Sequence, residues 1–143
     1  MPAAIDEQTA KARTMDKLIL TLPLPPKELS PNARLHYQAK AKVTRRYRRD
    51  CGWNGLAELM NWEDNDAWRP TRVRLTETYR IAGKRKYDVR NLFAAFKAGE
   101  DGLVDAGIIP GDDDSVLEHG APKIERVASK KDEGILVVIE AVV

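Results

Sequence analysis

Apolar and polar positions fall into a short series of patterns along the chain, and each pattern predicts an element. KLILTL, at 17–22, reads as a strand running into a loop stiffened by Pro23, Pro25 and Pro26. Residues 34–50 read as a helix with Leu35, Ala39, Val43 and Tyr47 near one face and Arg and Lys elsewhere. Ser30 or Asn32 is placed to cap it. Gly52 and Gly55 weaken its continuation, while Leu56, Leu59 and Met60 carry it on. Residues 61–70 read as a loop holding Trp62 and Trp68. From 72 to 81 the chain alternates, with Val73 and Leu75 on one face and Arg72 and Arg74 on the other, as in a half-buried strand.

The second half continues in the same terms. A basic loop at 82–87 leads to a second helix that starts at Asp88 or Asn91 and ends at Gly107. Leu92, Phe93, Phe96, Leu103 and Val104 form its core face. Residues 108–115 are a loop with three successive aspartates. Residues 123–129 and 134–143 predict a hairpin turning at 130–133, and 135–139 is apolar on both faces, as in a central strand. The order β-α-β-α-β-β predicts a single-domain α+β fold, a mixed β-sheet packed with two main helices. Residues 1–16 lack periodicity and read as a mobile tail, leaving 17–143 as the folded domain.

At 143 residues the chain is long enough for one core without staples. No apolar run approaches the ~18 residues of a membrane span, and no signal-like stretch opens the chain. A cytoplasmic protein with no membrane partner is the expectation. Cys51 is alone, which excludes an internal disulfide or a Cys-rich zinc site. It reads as a partly buried small apolar residue. His36 and His119 are too few for a His-based zinc site and read as surface or hydrogen-bonded residues. Trp53, Trp62 and Trp68 read as core or dimer-contact residues.

Net charge is only +2, which argues against a nucleic-acid partner until the charges are placed along the chain. Residues 34–49 carry Arg34, Lys40, Lys42, Arg45, Arg46, Arg48 and Arg49 with no acid among them. Residues 72–86 add Arg72, Arg74, Arg80, Lys84, Arg85 and Lys86 against Glu77 alone. From 98 to 122 there is no Lys or Arg, only Glu100, Asp101, Asp105, Asp112, Asp113, Asp114 and Glu118. This order predicts a polyanion-binding surface beside a carboxylate cluster, with solvated helix faces and an acidic turn as the plainer alternative.

The densest chemistry lies in Tyr87-Asp88-Val89-Arg90-Asn91-Leu92, then Lys97, Asp101-Gly102-Leu103, Asp105-Ala106-Gly107, and Gly111-Asp112-Asp113-Asp114. Asp88 suits an N-cap as well as a metal ligand, and the triplet suits a turn as well as a metal site. A straight helix sets Asp88 and the triplet roughly 25–30 Å apart. They meet only if the loop doubles back or a second copy supplies one of them.

These spaced elements resemble the RusA-type Holliday junction resolvases. The stretches Leu22-Pro23-Leu24-Pro25-Pro26 and Ser30-Pro31-Asn32-Ala33-Arg34 are similar to the N-terminal strand and loop of phage-encoded members. The resemblance covers about 17–143. It implies a homodimeric endodeoxyribonuclease of DNA recombination and repair, which cleaves branched, four-way DNA by Mg²⁺-dependent (or Mn²⁺-dependent) phosphodiester hydrolysis. By position it implies Asp88, Asp113 and Lys97 as catalytic residues and Asp88, Asp101, Asp112 and Asp113 as metal ligands. Some members carry the Lys at the position of Ala94, which shares a helix face with 97. The basic segments would then track the phosphate backbone, with Arg34, Lys40, Arg45, Arg46, Arg49, Lys84, Arg85, Lys86, Arg90 and Asn91 as the expected DNA-binding residues. Tyr47, Trp53 or Tyr87 could stack on an unpaired base.

One position departs from the pattern: the second Asp of the family's D-x-D pair is Arg90 here. A guanidinium removes an oxygen ligand that Mg²⁺ needs and adds like charge beside the cation. Two expectations follow. Either the metal site is rebuilt from Asp88, Asp101, Asp112, Asp113 and Asp114, or the protein binds branched DNA on the same fold with weakened or lost cleavage. Arg90 itself is expected to meet a phosphate or an acid of the late loop.

Overall fold

The computed structural model describes residues 16–62 and 65–142. The tail expected at 1–16 lies outside the described residues, apart from Asp16. The elements are β1 (Lys17–Leu22), α1 (Tyr37–Met60), β2 (Val73–Ala82), α2 (Val89–Ala95), α3 (Lys97–Asp105), β3 (Leu117–His119), β4 (Lys123–Val127) and β5 (Gly134–Ala141). This is the single-domain α+β architecture read from the sequence, with a mixed sheet and two helical segments.

The strands form one sheet in the order β1-β5-β2-β3, with β4 also pairing β2. β5 is antiparallel to both β1 and β2, which makes it the central, two-sided apolar strand the sequence predicts. β3 and β4 pair in parallel with successive stretches of β2: Leu117 opposite Val73, then Lys123 opposite Thr78. The hairpin expected between 123–129 and 134–143 is therefore corrected. β4 and β5 are neighbours in sequence, but β2 lies between them. Turn residues at 130–133 fit a hairpin locally, and the apolar pairing of β5 with β2 overrides them. The short β3 lies within a stretch that carried no strand reading.

One face of the sheet is dry. Leu18, Leu20, Leu22, Val73, Leu75, Tyr79, Ile81, Ile135, Val137 and Ile139 are buried there and meet the helical layer. The other face is partly open, with Ile19 44% exposed. α1 begins at Tyr37 rather than Arg34, and its cap is His36, whose Nδ1 accepts from the Gln38 N–H at 3.3 Å. Neither Ser30 nor Asn32 caps it. Its buried face is Tyr47, Cys51, Gly52, Gly55 and Leu59, while Leu35 and Ala39 are exposed. The two glycines are what let α1 continue: a Cβ at Gly52 would lie 2.8 Å from the Gly102 carbonyl oxygen, so only a bare backbone lets α3 approach this closely.

The second helical segment breaks at Phe96 into α2 and α3. Phe96 and Leu103 are fully buried beneath it, and Leu92, Phe93 and Val104 are half-buried. Its end is a Schellman motif. Gly107 takes φ +77°, its N–H donates to the Val104 carbonyl at 3.0 Å, and the Ile108 N–H donates to that of Leu103 at 3.0 Å. No helix among the described residues is long and apolar enough to cross a membrane.

Candidate functional site: acidic helix end and basic helix face

Three groups of the expected residues are placed by this fold. The first sits where α3 meets the loop before β3. Lys97 Nζ lies 2.8 Å from Asp101 Oδ1, 3.1 Å from Asp112 Oδ2 and 3.9 Å from Glu100 Oε1. Beside it Arg48 of α1 grips Asp105 through Nε at 2.5 Å and a second nitrogen at 2.8 Å, and reaches Asp101 at 3.9 Å. Burial lowers the Lys97 pKa, but the hydrogen bonds of Asp101 and Asp112 outweigh it and hold the ammonium charged beyond its usual range. The bond to Asp105 likewise raises the Arg48 pKa and lowers that of Asp105. Asp113 is adjacent, with its carboxylate turned onto Ser115: the Ser115 N–H donates to Oδ1 at 2.9 Å, and the Ser115 hydroxyl donates to the same oxygen. These bonds hold the Asp113 carboxyl below its ordinary value.

Behind this cluster lies a polar pocket of the core that the sequence reading did not single out. Glu100 is 5% exposed and meets His119 Nε2 at 3.0 Å. Glu77, 1% exposed, accepts from the Tyr79 hydroxyl at 2.5 Å. Burial pushes the Glu77 carboxyl up to about 7, against the Tyr79 bond, with nearby Glu100 raising it further. The signal was present as strand parity: 73, 75, 77, 79 and 81 share the inward face of β2, so Glu77 occupies a core position.

The second group is at the other end of the helical layer. Asp88 caps α2, its Oδ1 accepting from the Arg90 N–H at 2.9 Å. Asp88, Asn91, Arg85, Lys86 and Tyr87 line a groove with the loop that carries Pro25, Pro26 and Asn32. The basic loop is braced by Arg126, which donates to the Gly83 and Arg85 carbonyls at 3.3 and 2.6 Å and lies 5.8 Å over the Tyr87 ring. Arg90 is exposed, and it meets neither an acid of the late loop nor any other carboxylate among the described residues.

Asp88 follows the end of β2, whereas Asp113 precedes the strand that pairs with its start. A ten-residue strand spans ~30 Å, so the two stand toward opposite ends of the sheet. No three His, Cys, Asp or Glu among the described residues converge as metal ligands. Of the expected ligands, Asp101, Asp112 and Asp113 lie at one end of the sheet, and Asp88 lies toward the other. Asp101 and Asp112 share the Lys97 ammonium, and Asp113 accepts from Ser115 through Oδ1.

The third group is the outer face of α1. Lys42, Arg45, Arg46 and Arg49 recur at i, i+3, i+4 and i+7 and border one shallow hollow. Among the described residues the stripe's single ion pair is Arg49 with its neighbour Asp50, at 3.7 Å. Arg34, Lys40, Lys84, Arg85 and Lys86 pair with no carboxylate among the described residues either. Lys40 is half-buried and the other four are exposed. Of the aromatics, Trp68 is core and donates its Nε1–H to the Ile108 carbonyl at 2.8 Å. Tyr47 is buried, its hydroxyl donating to the Pro23 carbonyl at 2.6 Å, so it is not available to stack on a base. Trp53 and Trp62 are not core residues: they are 67% and 42% exposed. Cys51 is fully buried, and burial pushes its thiol up to about 12.

No family model matches the chain. A protein of Xylella fastidiosa (strain Temecula1), described as uncharacterized, is 36% identical over an alignment of 118 residues, and the match covers 74% of this chain and 65% of that protein. The chain thus matches a little under two thirds of that relative's length.

Proposed function

We propose that this protein binds branched DNA, using the outer face of α1 and the basic loop before α2. The observation that carries the reading is the cation stripe Lys42, Arg45, Arg46 and Arg49, whose one carboxylate contact among the described residues is with Asp50. Cations held in ion pairs are already neutralised, whereas unpaired ones on one face can exchange condensed counterions for phosphates. Arg34, Lys84, Arg85, Lys86, Arg90 and Asn91 extend the same capacity around the groove at Asp88. The resemblance to RusA-type resolvases supplies the preference for four-way junctions.

A second reading is a metal-dependent junction endonuclease. It is favoured by the convergence of Glu100, Asp101 and Asp112 on one cation beside Asp113. In that reading a homodimer supplies Asp88 from a second copy. The discriminating experiment mixes the protein with a synthetic four-way junction and a linear duplex, first in chelator and then with Mg²⁺ or Mn²⁺. Junction-selective binding without strand cleavage supports the first reading. Cleavage that Asp88→Asn and Asp113→Asn both abolish establishes the second, and Arg90→Asp is then expected to increase it. Equal binding to junction and duplex removes the branched-DNA assignment.

A further inference from the structure

The cation stripe of α1 does not end at Arg49. The same residue borders a second hollow, lined also by Arg48, Asp105, Trp53, Leu56, Ala106 and the glycines 52 and 102. Trp53 stands one helical turn beyond Arg49, ~6 Å along the axis, with its indole 67% exposed. The hollow exists because α1 and α3 meet through glycines: a Cβ on Gly102 would lie 2.0 Å from the Arg48 carbonyl oxygen. The Arg48 charge is matched by Asp105 on the same rim, which leaves Arg49, whose one carboxylate contact among the described residues is the half-exposed Asp50 at 3.7 Å. A row of cations thus leads into a small recess with an exposed aromatic wall, an apolar floor at Leu56 and Ala106, and the neutralised Arg48–Asp105 pair on its rim.

We propose that this recess receives an unpaired nucleotide of a DNA strand, its base against Trp53 and its phosphate at Arg49, while the neighbouring phosphates follow Arg46, Arg45 and Lys42. The inference rests on the nucleic-acid reading above and narrows it to a strand with exposed bases. Inside a duplex both faces of every base are stacked on neighbours, so an indole on the protein surface has nothing to stack on. An unpaired base presents its π-face at no such cost. The charge also weighs against a second copy of this chain as the occupant. A two-fold contact centred on the face would set the stripe against its own counterpart, cation against cation.

The test uses fluorescence anisotropy at fixed salt with two labelled probes, a dT oligonucleotide and a blunt duplex of equal length. Trp53 is exposed, so its replacement leaves the core intact. Trp53→Ala is expected to weaken oligonucleotide binding roughly fivefold or more, the scale of one lost base–aromatic stack. Duplex binding should change less than about twofold, because the cations are untouched. Trp53→Phe should recover part of the loss. Equal effects on both probes, or none on either, overturn the inference while leaving DNA binding in place. So does a Trp53→Ala change in oligomeric state by light scattering, which would make the recess an interface between copies. Wild-type binding to the duplex alone has the same meaning, and binding to neither probe overturns the DNA reading as well.

Discussion

The outer face of α1 and the C-terminal end of the helical layer carry the same kinds of residue and treat them in opposite ways. At the α3 end every cation is spent: Lys97 on Asp101 and Asp112, Arg48 on Asp105. Along α1, Lys42, Arg45 and Arg46 meet no carboxylate among the described residues, and Arg49 meets only the neighbouring Asp50. The first arrangement ties α1, α3 and the aspartate loop together. The second stores like-charge repulsion on one helix face, which folding alone does not call for. Where cations stand unpaired is therefore a better pointer to a polyanion partner than a net charge of +2.

The largest expected effect comes from erasing the unpaired side. Replacing Lys42, Arg45, Arg46 and Arg49 together by Gln should lower junction affinity on the order of 10²- to 10³-fold near 0.1 M salt. The salt dependence, log K against log salt, should flatten by about 3 to 4, one increment for each lost phosphate contact. Thermal stability should hold or rise slightly, since i,i+4 repulsion is removed. An unchanged salt slope would show that DNA, if bound, goes elsewhere. Next in size is the joint between the two regions. Gly102→Ala forces a methyl into the Arg48 carbonyl and should cost about 3 kcal/mol or more in denaturant unfolding. A variant of wild-type stability would mean that α1 and α3 part without penalty.

How much of this was legible beforehand follows from which forces are local. The central place of β5, the cap at Asp88 and the stop at Gly107 were readable, because each depends on a few adjacent residues. The hairpin was misread because its turn residues are local, while the insertion of β2 between β4 and β5 depends on pairing across the chain. Helix α1 runs through Gly52 and Gly55 for a reason no propensity contains: the backbone of α3 is pressed against Gly52, and the side chains of Leu103 and Ile108 against Gly55. The acidic residues were identified, but not their grouping: Lys97 gathers Asp101 and Asp112, and Asp88 stands apart. Glu77 and Glu100 are legible as charges, but their burial is not: it depends on strand parity for Glu77 and on the packing of α3 for Glu100.

That buried pair gives the third prediction. Glu77 has an ordinary value of 4.5 and is held near 7 in the fold, chiefly by burial, with Glu100 adding to the shift and Tyr79 and His119 opposing it. Its folded form keeps a proton that the unfolded form releases, so between pH 4.5 and 7 the folded state binds more protons and stability falls as pH rises. Above 7 the loss is complete, on the order of 3 kcal/mol. Glu77→Gln keeps an acceptor for the Tyr79 hydroxyl without the charge. It should match wild type near pH 4.5 and exceed it by about that amount at pH 8. Parallel stability–pH curves for the two proteins would place this slope on another group.

The smallest effect probes the paired side. Lys97 is half exposed, so its ion pairs are screened, and Lys97→Gln should cost only about 1 kcal/mol at low salt. The sign of the salt response carries more than its size. Removing the ammonium leaves Glu100, Asp101 and Asp112 facing one another, so added salt should narrow the gap to wild type. A few millimolar Mg²⁺ should narrow it further than the same ionic strength of a monovalent salt, because a divalent ion can stand where the ammonium stood. If Mg²⁺ and monovalent salt act alike, the cluster holds α3 to its loop and does nothing more, and the contrast with α1 is complete.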